Sequence, residues 1–351
     1  MNVLIIGGGL SGILVSAALR QQGIAHNLVE SVAPWTGSRA SSGILNPVMG
    51  RKRQLVADYE TLMATCTDAY RYLSQLLAEF FFQPVQITEV ISGNKAVSFF
   101  KEKTRHYPDF LQMEATAQAL PTFFNLTNED CIGITDRAYV LQTALLQKRY
   151  LDLLETEGRL IKAIFHPQNA PVSESDFEFQ GRIYTHIIYC NGQTFPEIPA
   201  LEALPLSLNK GQALVLEIDA PLPRNRVFKF GKGLTLCPWG EKGWWAGASF
   251  EWTYATENPT ADFLTEMTPR LEKVLKVPFR VVAQLAGFRV STQDRRAVAG
   301  WTPQNRRVGF VTGLGTKGVL QAPRAAAEVV NQLVNPGING NLFKPSRFGG
   351  V

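Results

Sequence analysis

The clearest indication of the fold comes from the stretch Val3-Leu4-Ile5-Ile6-Gly7-Gly8-Gly9-Leu10-Ser11-Gly12. Its first four residues are a short apolar run rich in β-branched side chains, which predicts a strand buried on both faces. Residues 13–20 then predict a helix that ends before Gly23. Residues 26–29 predict a second strand, which Glu30 closes. The first thirty residues therefore predict a β-α-β unit.

Three glycines in this stretch, Gly7, Gly9 and Gly12, have the spacing of a dinucleotide-binding turn between a strand and a helix. The first glycine permits the tight turn, the second lets the backbone approach a pyrophosphate, and the third lets the helix pack closely on the strand. The helix begins near Leu10 and Ser11, where free N–H groups and the helix dipole favour phosphate oxygens. The spacing therefore predicts a nucleotide site.

Two further features narrow the choice of nucleotide. Glu30 is placed to accept hydrogen bonds from a ribose, and an acidic residue there argues against a 2′-phosphate and hence against NADP. A second glycine-rich turn, Gly313-Leu314-Gly315-Thr316-Lys317-Gly318, leads from a predicted strand at 309–312 into a predicted helix at 319–334. A flavin that becomes anionic on reduction is stabilised by such a second helix start, whereas NAD does not need one. An ordinary strand-turn-helix connection remains the alternative.

The composition predicts a packed globular protein. The 351 residues suggest about two domains at roughly 150 residues each. Hydrophobic residues make up 45% of the chain, which excludes global disorder, and the net charge is a modest +5. Basic residues stand in short clusters such as Arg51-Lys52-Arg53, which predict a solvated turn rather than a nucleic-acid-binding stripe, with an anionic partner as the alternative.

The four cysteines do not form a metal or redox motif. No two of Cys66, Cys131, Cys190 and Cys237 make a CxxC pair, so a zinc site, an iron–sulfur site and a redox dithiol are not expected. Scattered cysteines predict buried free thiols in a reducing compartment. No signal-peptide pattern is present, and no apolar segment approaches the roughly 18 residues of a membrane span. We therefore expect a cytoplasmic protein without a membrane span.

The remaining pattern places β-α-β material at both ends and in the middle, with β-rich segments between. It predicts helices at 57–82, 137–154 and 262–275, a buried strand at 183–190, and a hairpin that pairs 234–237 with 244–249. The expected fold is α/β, with a discontinuous Rossmann-like domain and a second, α+β domain that contains an antiparallel sheet. The Rossmann-like domain comprises 1–80, 135–205 and 286–351, and the second domain comprises 81–134 and 206–285.

Four separated blocks of the chain resemble the FAD-dependent D-amino-acid oxidase superfamily, in a layout similar to glycine oxidase and sarcosine oxidase. The blocks are 3–30, Arg39-Ala40-Ser41-Ser42-Gly43-Ile44, Ala286-Gly287-Phe288-Arg289-Val290-Ser291-Thr292-Gln293-Asp294, and 312–328. The segment 187–192, followed by Lys210-Gly211-Gln212, also resembles the family's passage from the FAD domain into the substrate domain. The resemblance extends over nearly the whole chain.

The resemblance implies that the Rossmann-like domain binds FAD and that the other domain binds a small amine or amino acid. The first glycine turn would hold the pyrophosphate, Glu30 the adenosine ribose, and the second glycine turn the pyrimidine edge of the flavin. No cysteine lies beside that second turn, so the FAD is expected to be non-covalent. The implied FAD-binding residues are Gly7, Gly9, Leu10, Ser11, Gly12, Glu30, Arg39, Ser41, Ser42, Gly43, Gly192, Gly313, Gly315, Thr316, Lys317, Gly318 and Val319.

Arg289 is the residue to which the resemblance gives a role toward the substrate. It would project over the flavin and bind a substrate carboxylate, because a planar guanidinium can donate two parallel hydrogen bonds to the two carboxylate oxygens. A structural ion pair with Asp294 is the alternative. The sequence departs from glycine-oxidase-like members at Thr235, where they have a tyrosine, and this departure puts a glycine-like substrate in doubt. Lys317 is interpreted either as a flavin contact or as a solvated residue at a helix start.

The predicted reaction is oxidation of a C–N bond of an amino acid or secondary amine by hydride transfer to flavin N5, with O₂ or another compound as electron acceptor. No general base stands out, and an uncharged amine does not need one. The alternatives are a 2-hydroxy-acid dehydrogenase, which would favour a histidine near the flavin, and a flavoprotein component of an RNA-modifying system. The tryptophans of 239–252 are interpreted as packing, with an aromatic cage for an amine cation as the alternative.

Overall fold

The computed structural model describes the chain apart from residues 32–34, 115–119, 128–129, 167–175, 198–201, 203, 304, 339–341 and 349–351. The α-helices within the described residues are α1 (Leu10–Gln21), α2 (Gly37–Ala40), α3 (Tyr59–Leu77), α4 (Asn94–His106), α5 (Thr143–Thr156), α6 (Ala261–Val274) and α7 (Gly318–Val334). The strands are β1 (Asn2–Ile6), β2 (Ala25–Glu30), β3 (Ile44–Leu45), β4 (Val48–Met49), β5 (Gln54–Leu55), β6 (Phe82–Ile91), β7 (Leu111–Glu114), β8 (Cys131–Leu141), β9 (Leu160–Lys162), β10 (Phe177–Phe179), β11 (Arg182–Tyr184), β12 (His186–Tyr189), β13 (Leu206–Ile218), β14 (Arg226–Phe230), β15 (Leu234–Trp239), β16 (Gly243–Gly247), β17 (Phe279–Thr292), β18 (Val298–Trp301) and β19 (Val308–Thr312).

A six-stranded sheet combines strands from the first thirty residues with strands from later parts of the chain. Its strand order is β18-β19-β12-β1-β2-β9, and all neighbours are parallel except the antiparallel pair of β18 and β19. The predicted first strand is β1, whose residues after Asn2 are all buried. Helices α1 and α7 pack against each other over this sheet and share one apolar core with α3 and α5. The predicted β-α-β unit is confirmed.

A larger sheet of nine strands has the order β17-β13-β16-β15-β14-β6-β8-β3, with β7 paired to β8. Only β14 and β6 run parallel; the other neighbours are antiparallel. One face packs against α6 in a core that includes Leu214, Leu236 and Met267. The opposite face carries Ala213, Cys237 and Trp245. The predicted hairpin is confirmed as β15 and β16, paired through Cys237 and Trp245.

Two predicted helices are longer than the observed ones. Residues 137–141 belong to β8, and α5 begins only at Thr143, because β8 pairs along its length with β6 and this long-range pairing overrides the local helical pattern. Helix α3 ends at Leu77, where Ala78 adopts a left-handed conformation (φ 51°), and residue 82 already begins β6. The predicted strand at 183–190 is also wrong in part, because β11 turns back onto β10 and only β12 joins the central sheet.

The α/β fold class, with an antiparallel sheet in addition to the Rossmann-like sheet, is confirmed. The domain boundaries stay a prediction; β8 and β17 run across the predicted boundaries at 135 and 286. Among the described helices, none combines the length and the apolar character needed to cross a membrane. Cys66, Cys190 and Cys237 are buried free thiols, while Cys131 is partly exposed.

Candidate active site

The parallel strands β1, β2, β12 and β19 all end at one edge of the six-stranded sheet. Directly after these ends come the first glycine turn, residue 31, Gly192 and Gly313. Ligands of open α/β sheets bind outside the carboxyl ends of the strands, where the connections diverge. The two glycine-rich turns that the sequence singled out therefore lie at the same edge.

The first glycine turn has the geometry that its spacing predicts. Gly7 has a φ of 100°, a region that favours glycine, and a Cβ there would lie 2.6 Å from the carbonyl oxygen of Cys190. A Cβ on Gly12 would lie 1.8 Å from the carbonyl oxygen of Gly7. A Cβ on Gly9 would meet only the Ser38 hydroxyl, at 3.2 Å. Two of the glycines are thus required by the protein's own backbone, whereas Gly9 leaves open space beside the start of α1.

Glu30 lies at the base of this turn. Its Oε2 accepts a hydrogen bond from the backbone N–H of Gly8 (2.6 Å), and its Oε1 lies 3.5 Å from the guanidinium of Arg39. Burial raises the pKa of Glu30, although both of these contacts favour the carboxylate. The carboxylate therefore stands between the glycine turn and α2, at the end of β2.

Two residues at this turn were missed by the sequence analysis. The Ser38 hydroxyl accepts a hydrogen bond from the N–H of Leu10 (2.9 Å), and Gln147 donates to the carbonyl oxygen of Gly8 (2.8 Å). Ser38 directly precedes the predicted block that begins at Arg39. Gln147 lies on α5, and nothing in its local sequence marks it, because its place beside the turn is set by the packing of α5.

The segment after α2 joins the two sheets. Gly43 has a φ of 71°, and its Cβ would lie 1.8 Å from the carbonyl oxygen of Leu141. The indole N–H of Trp245 donates to the carbonyl oxygen of Ala40 (2.9 Å), and the Ser41 hydroxyl accepts from the N–H of Gly43 (3.0 Å). Ser42 offers its carbonyl oxygen to the thiol of Cys237 (3.5 Å). Carbonyl oxygens of the predicted block 39–44 therefore hold it against the larger sheet, because they accept hydrogen bonds from the side chains of Trp245 and Cys237.

The C-terminal turn also adopts glycine-dependent geometry, with φ values of 69° at Gly313 and 50° at Gly315. A short 3₁₀ helix, Gly315–Lys317, leads into α7. The Lys317 ammonium donates to the carbonyl oxygen of Arg295 (3.2 Å), and burial lowers the pKa of Lys317. The carbonyl oxygen of Val319 accepts from Tyr70 (2.8 Å), which fixes the start of α7 on α3.

Arg289 lies on β17 and faces the same side of the larger sheet as the segment after α2. Its Nη1 donates to Oδ1 of Asn209 (2.9 Å) and to the carbonyl oxygen of Ser249 (3.3 Å). The Cζ lies 4.3 Å from the centre of the Phe250 ring. A Cβ on Gly211 would lie 2.3–2.5 Å from Nη2, Nη1 and Cζ, so the guanidinium rests on the backbone of this glycine. We call Arg289 with these four neighbours the anchor.

The predicted alternative of an ion pair between Arg289 and Asp294 is wrong. Asp294 instead binds Arg347 (2.8 Å) and the hydroxyl of Thr292 (2.8 Å). Within the described parts of the chain, no carboxylate lies within ion-pair distance of Arg289. Burial lowers the pKa of Arg289 to about 10, against the smaller opposing effect of the Glu251 charge. Arg289 is therefore a partly buried cation whose direct partners are neutral.

Other residues singled out by the sequence lie away from the anchor. His26 forms a hydrogen bond with the Ser16 hydroxyl, and His106 forms one with the carbonyl oxygen of Glu102. His186 packs against the ring of Trp301, and His166 is exposed. The tryptophans do not form one cage. Trp244 and Trp245 are buried on opposite faces of the sheet, while Trp252 is 66% exposed.

Three buried polar atoms near the edge of the six-stranded sheet have no hydrogen-bond partner among the described residues. They are Oε1 of Gln147, Oδ1 of Asn191 and Oγ1 of Thr312. Asn191 follows β12 and Thr312 ends β19. Unpaired buried polar atoms are costly, so three at one edge indicate that this edge binds a polar ligand. The described residues contain no group of three side chains that could hold a metal ion.

Comparison with known proteins agrees with this geometry. The family model described as FAD dependent oxidoreductase matches residues 2–332. Iminodiacetate oxidase from Chelativorans sp. BNC1 is 18% identical, with a TM-score of 0.77 over 98% of each chain. Glycine oxidase from Geobacillus kaustophilus is 16% identical, with a TM-score of 0.77 over 99% of this chain and 97% of the other. L-proline dehydrogenase from P. horikoshii is 16% identical, with a TM-score of 0.73 over the same shares.

The residues at the edge of the six-stranded sheet fit FAD. The start of α1 with the open space at Gly9 suits a pyrophosphate, and the carboxylate of Glu30 suits ribose hydroxyls. The unpaired atoms of Gln147, Asn191 and Thr312 add hydrogen-bonding capacity along the same edge. A dinucleotide with a polar ring system can use donors and acceptors of this kind.

Proposed function

The chain belongs to the family of FAD-dependent oxidoreductases, and from this premise we propose that it oxidises the C–N bond of an amino acid or secondary amine whose carboxylate is bound by Arg289. The observation that carries the proposal is the anchor. A partly buried guanidinium without a carboxylate partner is costly, and an anionic substrate group that completes its hydrogen bonds lowers that cost.

The anchor leaves one edge of the guanidinium for a ligand. Nη1 is used by Asn209 and Ser249, while Nη2 and Nε have no partner among the described residues. These two atoms carry parallel N–H groups, which match the two oxygens of a carboxylate. Contact with Gly211 and the Phe250 ring holds the guanidinium plane, so this edge has one orientation toward the site. A substrate carboxylate bound there has its plane fixed relative to the sheet.

We further propose that the predicted FAD-binding residues hold FAD without a covalent bond. When bound, FAD supplies the acceptor for the hydride, which leaves the substrate with its electron pair. The chain's own part is to bind the carboxylate, to orient the Cα–H bond and to exclude water. The amine loses a hydride and a proton and becomes an imine, which water hydrolyses, and the electrons pass on to O₂ or another acceptor. Because all four histidines lie away from the anchor, no histidine supports the alternative of hydroxy-acid oxidation.

The test is a visible spectrum of the purified protein, followed by anaerobic addition of amino acids and secondary amines. One compound class is expected to bleach the flavin band, and protein precipitated with acid should release FAD into the supernatant. Arg289→Met should lower kcat/KM for the bleaching compound by about 100-fold. Arg280→Met is the matched control, because Arg280 lies on the same strand with its side chain 72% exposed. Equal activity of the two variants would remove Arg289 from substrate binding, and a protein without flavin after reconstitution would overturn the proposal as a whole.

A further inference from the structure

A segment beside the anchor is fastened by two fully buried side chains that the proposed reaction does not use. This segment, residues 248–260, runs from the end of β16 to the N-cap of α6, and we call it the strap. Lys210 is 0% exposed and Gln212 is 2% exposed, and both lie on β13. Burial of a lysine ammonium is costly unless hydrogen bonds or an ion pair compensate for the lost water.

Lys210 binds the far half of the strap. Its ammonium donates to the carbonyl oxygens of Thr256 (2.7 Å) and Asn258 (2.7 Å), and it lies 3.8 Å from a carboxylate oxygen of Glu251. The ring of Tyr254 lies 5.9 Å from the same nitrogen. The Lys210 ammonium thus contacts four residues of the strap, and these contacts leave the strap little freedom to move away from β13.

Gln212 binds the two ends of the strap. Its Nε2 donates to Glu251 (2.8 Å) and to the hydroxyl of Thr260 (3.1 Å), and its Oε1 accepts from the N–H of Thr260 (2.7 Å). Its backbone N–H donates to the hydroxyl of Ser249 (2.9 Å), which also donates to Glu251. The backbones of Lys210 and Glu251 bond each other in both directions, at 3.0 and 2.9 Å. The start of the strap therefore continues the antiparallel pairing of β16 with β13.

Alternation along β13 connects these fastenings to Arg289. Successive side chains of a strand point to opposite faces, so Asn209 and Gly211 share one face and Lys210 and Gln212 the other. The first pair touches the guanidinium of Arg289, and the second pair binds the strap. The strap also contacts the Arg289 guanidinium on the first face, through the Ser249 carbonyl oxygen and the Phe250 ring.

We propose that Lys210 and Gln212 are positioning residues, which set the plane of the Arg289 guanidinium through the strap and thereby determine how tightly a substrate carboxylate binds. The inference rests on the proposed role of Arg289. Without the fastenings, the Ser249 carbonyl and the Phe250 ring lose their fixed place, and the guanidinium loses one acceptor and one packing surface. Its Nη2–Nε edge then no longer has a single orientation, so carboxylate affinity falls although the charge remains.

The experiment uses the FAD-loaded full chain and two variants of nearly unchanged side-chain volume, Lys210→Met and Gln212→Leu. Lys242→Met is the matched control, because Lys242 is exposed in the turn between β15 and β16. The probe is benzoate, a carboxylate whose ring can lie beside Phe250, and its Kd is read from the perturbation of the flavin spectrum. The second readout is the rate at which chymotrypsin cleaves the strap, which contains Phe250, Trp252 and Tyr254. Circular dichroism and the flavin-to-protein absorbance ratio check that each variant is folded and loaded.

We expect each fastening variant to raise the benzoate Kd by about tenfold and to accelerate strap cleavage, while the flavin content and the Lys242→Met control stay unchanged. Faster cleavage with an unchanged Kd would overturn the inference, because the strap would then be loosened without effect on the anchor. Unchanged cleavage and unchanged Kd would overturn it as well. Should one variant fail to fold, the other decides.

The Arg289→Met variant separates this inference from the one on which it rests. If Arg289→Met weakens benzoate binding and the fastening variants do not, the positioning role fails alone. If Arg289→Met leaves benzoate binding unchanged, the role of Arg289 itself fails, and the positioning role fails with it.

Discussion

The glycine turn at residues 7–12 and the anchor around Arg289 are expected to face the same cofactor, but they are built from different material. In the turn the contacts are backbone to backbone, since a Cβ on Gly12 would lie 1.8 Å from the carbonyl oxygen of Gly7. In the anchor every contact involves the flexible side chain of Arg289, which meets the Asn209 side chain, the Ser249 carbonyl and the Phe250 ring. A backbone contact cannot move away from an added atom, whereas a side chain can. Substitution of Gly7 or Gly12 should therefore destroy the turn, whereas substitution in the anchor should only displace the guanidinium.

The largest effect is expected at Gly12. Gly12→Ala forces a Cβ into the Gly7 carbonyl, and relief requires that α1 separates from β1, whose packing forms much of the core. We expect a loss of stability of about 4 kcal/mol or more, together with loss of bound FAD. Thermal unfolding and the flavin absorbance measure the two effects. Gly231→Ala is the control, because nothing lies within 4 Å of its added Cβ. Equal stability of the two variants would contradict this expectation, because it would show that the backbone of the turn can move away from an added Cβ.

A smaller effect is expected at Gly9, in the same turn but without a backbone clash. The added Cβ of Gly9→Ala meets only the Ser38 hydroxyl at 3.2 Å, so the fold should survive. The methyl group fills the space in which we place the pyrophosphate, and we expect FAD affinity to fall by about 100-fold. Titration of the apoprotein with FAD measures the affinity. Unfolding at the temperature of the unaltered chain, combined with unchanged FAD affinity, would remove Gly9 from the cofactor site.

The contrast between the two regions also explains what could be predicted from the sequence. The turn was predicted because Gly7, Gly9 and Gly12 all lie within six consecutive residues that follow a buried strand. Arg289 was indicated only by resemblance, and its partners Asn209 and Ser249 lie 80 and 40 residues away in sequence. The register between β13 and β17 sets Asn209 opposite Arg289, and pairing of the strap with β13 brings Ser249 to the same place. No local pattern encodes either pairing. The false helix at 137–141 has the same cause, since pairing with β6 decides its structure.

A still smaller effect than at Gly9 is expected at Gly211, where an added Cβ would meet a side chain of the anchor instead of backbone. The Cβ of Gly211→Ala would overlap the guanidinium at 2.3–2.5 Å, but that group is the end of a flexible side chain and can move. Stability and FAD content should therefore stay close to those of the Gly231→Ala control. The benzoate Kd should rise by about 30-fold, because the displaced guanidinium loses its fixed edge. A large loss of stability instead would show that the anchor is as rigid as the glycine turn.

The smallest effect is expected from pH, and it separates the charge of the anchor from its position. Burial lowers the pKa of Arg289 to about 10, whereas burial raises the pKa of Glu30 at the turn. In the proposed role, carboxylate binding requires the protonated guanidinium, so affinity is complete well below pH 10 and is lost as the pH rises through the pKa of Arg289. We expect a constant benzoate Kd between about pH 7 and 9 and a rise of about tenfold near pH 11.

The Arg289→Met variant serves as the control for this titration, because it lacks the group that loses the proton. Its residual benzoate affinity is expected to stay level across the same pH range. A parallel rise in this variant would assign the titration to another group, such as Lys317, whose pKa is also lowered by burial. A rise confined to the unaltered chain would mean that the anchor acts through its charge as well as through its place. The glycine turn, for which we propose binding through backbone N–H groups without an ionisable proton, then has no counterpart to this alkaline limit.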